Sequence, residues 1–125
     1  MKKRIHSSKK SILLLTGLLM LLVSFPVMAK DKSKKTETVS IKTSAICSQC
    51  KDRLEKNIAF EKGVKAVNLD LETKVLTVTY KKGKNSKENL KKAVSKIGYD
   101  ADELEADPKA YERLPACCKK DAAPH

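Results

Sequence analysis

Residues 39–50, with the sequence VSIKTSAICSQC, decide the fold because the spacing of apolar side chains changes within them. Apolar and polar residues alternate from Val39 to Ala45, which is the pattern of a strand with one buried face. Cys50, Leu54 and Ile58 then follow four positions apart, which places them on one face of a helix. The segment therefore predicts a strand, a short loop that carries two cysteines, and a helix.

The residues that follow predict two more strands and a second helix. Residues 67–71 and 76–80 alternate between apolar and polar side chains, and we expect each to form a strand. Ser86 suits a helix N-cap, and four apolar residues behind it share one helical face: Leu90, Ala93, Val94 and Ile97. We expect Lys62-Gly63 and Gly98 to end the two helices, since glycine adopts the left-handed conformation at a helix C-terminus.

A short fourth strand at residues 99–104 would complete the order strand, helix, strand, strand, helix, strand. This order predicts an α+β fold, a ferredoxin-like βαββαβ sandwich in which two helices cover one face of an antiparallel sheet. The predicted domain spans residues 39–104. A domain of this size has a small core and gains from additional stabilising contacts.

The first 29 residues have the order of a secretory signal peptide. Basic residues among positions 2–10 precede an apolar run, residues 12–27, and then the small-residue pattern Val27-Met28-Ala29. We therefore expect export to the periplasm or cell envelope, with cleavage after Ala29. The alternative is an uncleaved membrane anchor, although the apolar run is shorter than the ~20 residues that usually span a bilayer. Residues 30–38 are polar with no apolar face and predict a flexible linker.

Much of the positive charge belongs to the signal segment. Cleavage would remove five of the 27 basic residues and none of the 15 acidic ones, so the net charge would fall from +12 to +7. The remaining surplus favours a solvated lysine surface over a site for acidic partners or anionic lipids. Nucleic acid is not expected as a partner, because export would separate the protein from it. The aromatic residues also form no series on which bases could stack.

The side chains that the mature chain lacks exclude several kinds of site. All three methionines precede residue 30, and the only histidine after the signal is His125, which we expect to be a frayed end. Such a chain cannot form a Ser-His-Asp triad, a histidine-rich zinc site or a thioether copper site. Its distinctive chemistry is four cysteines, Cys47, Cys50, Cys117 and Cys118, and we expect a binding protein rather than an enzyme.

Cys47 and Cys50 lie where the predicted first strand ends and the first helix begins. A helix N-terminus presents free N–H groups and a partial positive charge, and both favour a thiolate over a thiol. Lys51 and Arg53 add positive charge nearby. Two thiolates suit a soft ion such as Cu(I) or Hg(II) and leave Zn(II) short of its usual four ligands.

These features resemble the heavy-metal-associated domain family, which includes copper chaperones, amino-terminal domains of copper-exporting ATPases and periplasmic mercury-binding proteins. The resemblance covers residues 39–104 and rests on residues 44–50, on Gly63-Val64 before the second strand and on Gly98-Tyr99 after the second helix. It implies that Cys47 and Cys50 bind the metal. It also implies that Tyr99 lies beside the metal loop without binding the ion, with an ordinary core aromatic as the alternative.

The sequence departs from the family pattern at one place. Members of the family usually carry Gly-Met-x-Cys, whereas Ser44 and Ala45 occupy the first two positions here. The methionine normally packs under the loop, so its loss implies a different loop packing. The departure leaves the identity of the metal more open than the fold.

Two other interpretations of the cysteine pair stay open. A CxxC motif at a helix start also occurs in thiol–disulfide oxidoreductases, although the flanking aromatic and proline expected there are missing. Exported proteins also enter an oxidising compartment, where the pair could form a structural disulfide. The alternatives to metal binding are therefore a redox enzyme and a disulfide-stapled interaction domain.

Residues 105–125 form a C-terminal extension with a second pair of cysteines. Asp107-Pro108 can begin a short helix, and Tyr111 and Leu114 can pack on the domain. Cys117-Cys118 lies outside the predicted sandwich. The pair could join the first site, giving four thiolates suited to Zn(II), form a disulfide, or have no role.

Together these features predict an exported soft-metal-binding protein. We expect a soluble monomer that captures Cu(I) or Hg(II) through Cys47 and Cys50. The ion would then pass by ligand exchange to a membrane metal transporter or another thiol-bearing acceptor.

Overall fold

The computed structural model describes residues 35–122. The predicted signal peptide, most of the predicted linker and His125 lie outside the described residues. A three-stranded antiparallel sheet is built from β1 (Thr36–Lys42), β2 (Val64–Asp70) and β3 (Val75–Lys81), with β3 in the centre. β1 begins at Thr36, where that residue pairs with Lys81, so residues 36–38 belong to a strand and not to the linker that we predicted.

One face of the sheet is buried. In β3, the residues Leu76, Val78 and Tyr80 are buried, whereas the residues between them stay partly exposed. The buried face packs with apolar residues of two helices, Leu54 and Ile58 of the first and Leu90 and Val94 of the second. This arrangement confirms the predicted α+β sandwich of ferredoxin-like class.

Helix α1 (Ser48–Ile58) is shorter than predicted. It buries Cys50, Leu54 and Ile58 on one face, as their spacing indicated. The helix ends at Ile58, with Ala59 as C-cap, and not at Lys62-Gly63. Gly63 instead adopts a left-handed φ of 76° in the turn that leads into β2, where a side chain would collide with Lys84.

Helix α2 (Lys87–Ile97) has the termini that the sequence predicts. The Asn89 N–H donates to the Ser86 hydroxyl at 3.2 Å, which caps the first turn. Gly98 follows the last turn with a φ of 115°, a left-handed conformation that glycine adopts without a steric penalty.

The predicted fourth strand, residues 99–104, does not form. Ala101 makes one isolated bridge to Thr43, and it also pairs with Leu104, so the chain reverses there. Asp102 has a φ of 52° and makes two hydrogen bonds to Lys42 in place of strand pairing. Its N–H donates to the Lys42 carbonyl, and its carboxylate accepts from the Lys42 N–H, both at 2.8 Å. A left-handed residue cannot continue an extended strand, which limits the contact to a bridge.

The C-terminal extension contributes residues to the core. Helix α3 (Pro108–Glu112) begins as predicted, with Pro108 in its first turn and the Asp107 carboxylate accepting from the Ala110 N–H at 2.9 Å. A single 3₁₀ turn (Ala116–Cys118) follows. Leu114 and Cys118 are buried in the same apolar cluster as the sheet and helices, so the expectation that the second cysteine pair lies outside the sandwich is wrong for Cys118.

No helix within residues 35–122 is long and apolar enough to cross a membrane.

Candidate metal centre

The loop after β1 brings Cys47 and Cys50 together. Cys47 is the N-cap of α1 in an extended conformation, and Cys50 lies in the first turn of the helix. Their sulfur atoms are 3.2 Å apart. Cys50 is fully buried and Cys47 is partly exposed, so the pair has one sulfur in the core and one that an incoming ion can reach.

Cys118 lies at the same place. Its sulfur is 3.9 Å from that of Cys47, and the sulfurs of Cys47, Cys50 and Cys118 all lie within 4.8 Å of one another. Cys117 is not part of this group of three. Its sulfur lies 3.9 Å from that of Cys118, and its partly exposed thiol donates to the Gln49 side-chain carbonyl at 3.2 Å. The structure therefore brings together three of the four cysteines, each as a free thiol.

Tyr99 lies in the core cluster beside the sulfur atoms of Cys50 and Cys118. The side chain is fully buried, and within residues 35–122 its hydroxyl makes no well-formed hydrogen bond. Burial, together with the facing sulfurs of Cys50 and Cys118, raises the pKa of Tyr99 far above that of a free phenol. The hydroxyl therefore stays protonated beside the cysteine cluster.

Cys50 ionises most readily of the three clustered cysteines. Burial acts to raise its pKa, but the Ile46 backbone, the neighbouring Cys118 and Cys47 thiols and the nearby Tyr99 hydroxyl together outweigh burial and lower the pKa below the usual range. Each of these donors stabilises the charged sulfur. Cys50 is therefore the first thiolate of the cluster.

The other two cysteines hold their protons more firmly. Burial raises the pKa of Cys47, and the favourable contact with the Cys50 backbone does not compensate. Burial also raises the pKa of Cys118 to about 12, and the hydrogen bond with Cys50 adds to the effect. The helix start does act on Cys47, through the backbone of Cys50, but burial outweighs it, and the lowered pKa of Cys50 comes from Ile46 and the neighbouring side chains. Metal binding must therefore displace protons from Cys47 and Cys118.

Ser44 and Ala45, where the sequence departs from the family pattern, fix the loop in place. The Asp100 N–H donates to the Ser44 hydroxyl at 3.0 Å, which ties the loop to the residue after Tyr99. Ala45 is fully buried in the cluster that also contains Cys118. Sequence reasoning identified both positions but assigned no contact to either.

Lys51 does not serve the cysteines as we expected from its position. Its ammonium group pairs with Glu55 at 2.7 Å and donates to the Leu69 carbonyl of β2 at 2.5 Å. Glu55 in turn accepts from the Leu69 N–H at 2.8 Å. Lys51 therefore attaches α1 to the edge strand of the sheet.

The sequence left open whether Cys117-Cys118 joins the first site, although a signal for the approach of Cys118 was present. Tyr111 and Leu114 are apolar positions ahead of the cysteines, and their packing brings the chain back to the loop. The Tyr111 hydroxyl also accepts from the Lys120 N–H at 3.0 Å, and Lys120 pairs with Asp100 at 2.7 Å. Cys118 is held between the packing of Tyr111 and Leu114 before it and the contacts of Lys120 after it.

Comparison with known proteins agrees with this geometry. The profile of the heavy-metal-associated domain matches residues 35–100. Oxidized MerP from Ralstonia metallidurans CH34 is 33% identical, with a TM-score of 0.51, and the match covers 53% of this chain and 93% of MerP. The comparison with curated proteins gives no significant match.

Two further solved structures share the fold. The CopZ metallochaperone is 24% identical with a TM-score of 0.50, over 52% of this chain and 98% of CopZ. The water-soluble region of the P-type ATPase CopA from Bacillus subtilis is 23% identical with a TM-score of 0.51, over 54% of this chain and 46% of the CopA region. The family and the cysteine cluster together support a metal-binding role, and the chain belongs to the heavy-metal-associated domain family.

Proposed function

We propose that this chain is an exported protein that captures a soft metal ion, of the Cu(I) or Hg(II) class, and passes it on through Cys47 and Cys50. The observation that carries the proposal is the convergence of two sulfur atoms, 3.2 Å apart, at the start of α1. Soft thiolate ligands select soft ions over Mg²⁺ or Ca²⁺. Cys50 supplies the first thiolate, and the more exposed Cys47 meets the incoming ion.

Transfer would proceed by ligand exchange. The sulfur of an acceptor binds the ion while one sulfur of this chain still holds it, and the remaining bond then breaks. The proton of the acceptor thiol moves to the protein sulfur that leaves, so charge and protons balance and free ion is never released. The acceptor is a membrane metal transporter or another protein with exposed thiols.

Metal titration of the reduced mature chain, residues 30–125, tests the binding step. Cu(I), Hg(II) and Zn(II) are each titrated against the wild-type chain and the variant Cys47→Ser under anaerobic conditions with a competing chelator. We expect tight binding of Cu(I) or Hg(II), with a large loss of affinity in the variant. Equal affinities in the two proteins would contradict the proposal, and insulin reduction without tight binding would establish the thiol–disulfide oxidoreductase instead.

Transfer kinetics test the exchange step. The metal-loaded chain is mixed with increasing amounts of a dithiol acceptor peptide, and the loss of the metal–thiolate absorption is followed in time. Exchange through a shared intermediate gives a rate that rises with acceptor concentration. A rate that does not depend on the acceptor would show that the ion dissociates first, which excludes direct transfer.

Export is part of the proposal and needs a separate measurement. When the full chain is expressed, we expect the protein in the soluble envelope fraction with the mass of residues 30–125. Recovery of the uncleaved chain in the membrane fraction would identify residues 1–29 as an anchor.

A further inference from the structure

Cys118 belongs to the extension, outside the residues that the family profile matches, and yet its sulfur lies among those of the metal loop. Residues 35–100 match the family, and Cys118 lies beyond them. Its side chain is 1% exposed, and its sulfur lies 3.9 Å from that of Cys47 across 71 positions of sequence. A buried thiol aimed at a cysteine pair needs an explanation beyond packing.

The extension holds Cys118 at this place through specific contacts. A side chain at Gly98 would lie 3.1 Å from the backbone of Ala110 and from Leu114, so glycine is needed for α3 to approach the end of α2. The Cys118 N–H donates to the Pro115 carbonyl at 2.9 Å. Lys120, two residues later, pairs with Asp100, so the chain is attached on both sides of the cysteine.

The spacing of the sulfurs fits three-coordination better than two-coordination. With metal–sulfur bonds of about 2.3 Å, a trigonal ion needs sulfurs about 4.0 Å apart, whereas a linear ion needs about 4.6 Å. The Cys47–Cys118 separation of 3.9 Å already matches the trigonal value. The Cys47–Cys50 separation of 3.2 Å must widen by roughly 0.8 Å for a trigonal ion and by roughly 1.4 Å for a linear one.

The Tyr99 hydroxyl gives an independent indication of a ligand site. It is a fully buried polar group with no well-formed hydrogen bond in the described part of the chain, and it faces the sulfurs of Cys50 and Cys118. A buried donor without a partner is costly. Thiolates held by a metal would accept from it, which removes that cost.

We propose that Cys118 is the third thiolate ligand of the metal site, and that Cys117 stays outside it. The inference rests on the proposed function of Cys47 and Cys50 and extends it to the C-terminal extension. Binding would release to solvent every proton that the three thiols still carry, leaving three sulfur anions around one soft cation. Cys118 then occupies the position that an acceptor's sulfur would take, so it slows transfer as well as tightening the site.

X-ray absorption spectroscopy of the metal-loaded mature chain counts the sulfur ligands directly. We expect three sulfurs around Hg(II) or Cu(I) in the wild type, three in Cys117→Ser and two in Cys118→Ser. Cys118→Ser should also lose at least the ~10–100-fold in affinity that removal of an outer-shell partner of a metal site causes, and it should pass the ion to a dithiol acceptor faster. Cys117→Ser is the matched control, because the two residues are adjacent and only Cys118 lies in the cluster.

Two sulfurs in the wild type, or equal affinity of Cys118→Ser and wild type, would overturn the inference while leaving the proposed function intact. Loss of the proposed function itself would show differently, as undiminished metal binding in Cys47→Ser. The wild-type sulfur count does not depend on any variant, so a folding defect in Cys118→Ser cannot hide the answer. Recovery of the protein from the envelope with Cys118 in a disulfide to Cys47 would also overturn the inference.

Discussion

The metal loop and the C-terminal extension bring sulfur atoms to the same point by different physical routes. Cys47 and Cys50 are three positions apart, and the junction of β1 and α1 is enough to make them converge. Cys118 lies 71 positions from Cys47. It reaches the loop only because α3 and the residues after it pack into the common core.

This difference separates a local site from one that depends on tertiary packing. The pair at the helix start is positioned once the first turn of α1 forms. The third sulfur is positioned only when the extension docks, so anything that loosens the extension should convert a three-sulfur site into a two-sulfur site. Substitutions in the core, in the cysteine pair, at the docking contact of the extension and at Asp102 test this difference.

The largest effect is expected for Leu54→Ala in the shared core. Leu54 is fully buried one helical turn after Cys50, and truncation of a buried leucine costs about 2–5 kcal/mol. Chemical denaturation should show this loss of unfolding free energy, and amide hydrogen exchange should show it in the extension as well as in the sheet.

The matched control is Phe60→Ala, because Phe60 is 84% exposed and surface truncations change stability by about 0.5 kcal/mol or less. In Leu54→Ala, the Cys118 amide could stay fully protected from hydrogen exchange while the sheet is destabilised. That result would show that the extension folds by itself and would refute a shared core.

Cys50→Ser should weaken metal binding without the loss of unfolding free energy expected for Leu54→Ala. Structural zinc sites with four ligands contribute about 10–16 kcal/mol, or roughly 3 kcal/mol for each ligand, which corresponds to about a hundredfold in affinity. Competition titration of the reduced variant with Hg(II) or Cu(I) measures the loss. Cys117→Ser should retain wild-type affinity, and a similar loss in both variants would mean that affinity depends on total thiol number and not on the cluster.

Gly98→Ala should release the extension while leaving the metal pair in place. The substitution places a side chain at a φ of 115° and 3.1 Å from Ala110, and the left-handed conformation alone costs roughly 1–2 kcal/mol. Gly83→Ala is the control, since Gly83 has a φ of 81° and nothing within 4 Å of the added carbon.

Both glycine variants should lose stability on thermal unfolding, but only Gly98→Ala should reduce the sulfur count toward two and increase hydrogen exchange after residue 105. Identical behaviour of the two variants would show that backbone strain, and not the approach of α3, matters at Gly98.

Local sequence patterns predict much of the fold. The predictions that were wrong share a common cause. The strand–loop–helix around Cys47 and the Ser86 cap depend on neighbours within a few residues, and the sequence shows them directly. The early end of α1 and the absent fourth strand depend on contacts that periodicity does not contain. Residues 99–102 alternate as a strand would, but the Asp102 carboxylate accepts a hydrogen bond from Lys42 that a ladder would otherwise make.

The same distinction between local and long-range contacts decides which residues of the site could be predicted. Cys47 and Cys50 could be predicted from their spacing and position, because both sit at one junction. The location of Cys118 could not, since it depends on Gly98 allowing α3 to approach and on Leu114 entering the core. Lys51 shows the converse: adjacency to Cys50 suggested an electrostatic role, but its contacts with Glu55 and β2 use its charge elsewhere.

The smallest expected effect is a pH dependence of stability at Asp102, which joins residues 99–104 to the end of β1. Burial acts to raise the pKa of Asp102, but the Lys42 N–H and the Lys87 ammonium outweigh burial and hold the pKa below its usual range. Because the folded pKa is depressed, the charged carboxylate stabilises the fold above the unfolded-state pKa, and this contribution disappears as the pH falls through the folded pKa.

Asp102→Asn removes the charge and keeps an oxygen that can accept from Lys42. The loss at neutral pH should be below about 1 kcal/mol, since the ion pair with Lys87 is partly exposed and screened by solvent. Denaturation at several pH values should show a wild-type advantage at neutral pH that vanishes in acid, where both proteins carry an uncharged side chain. An advantage that persists unchanged in acid would assign the effect to the backbone-like hydrogen bonds of Asp102, and the bridge to Lys42 would then stabilise the junction without any help from charge.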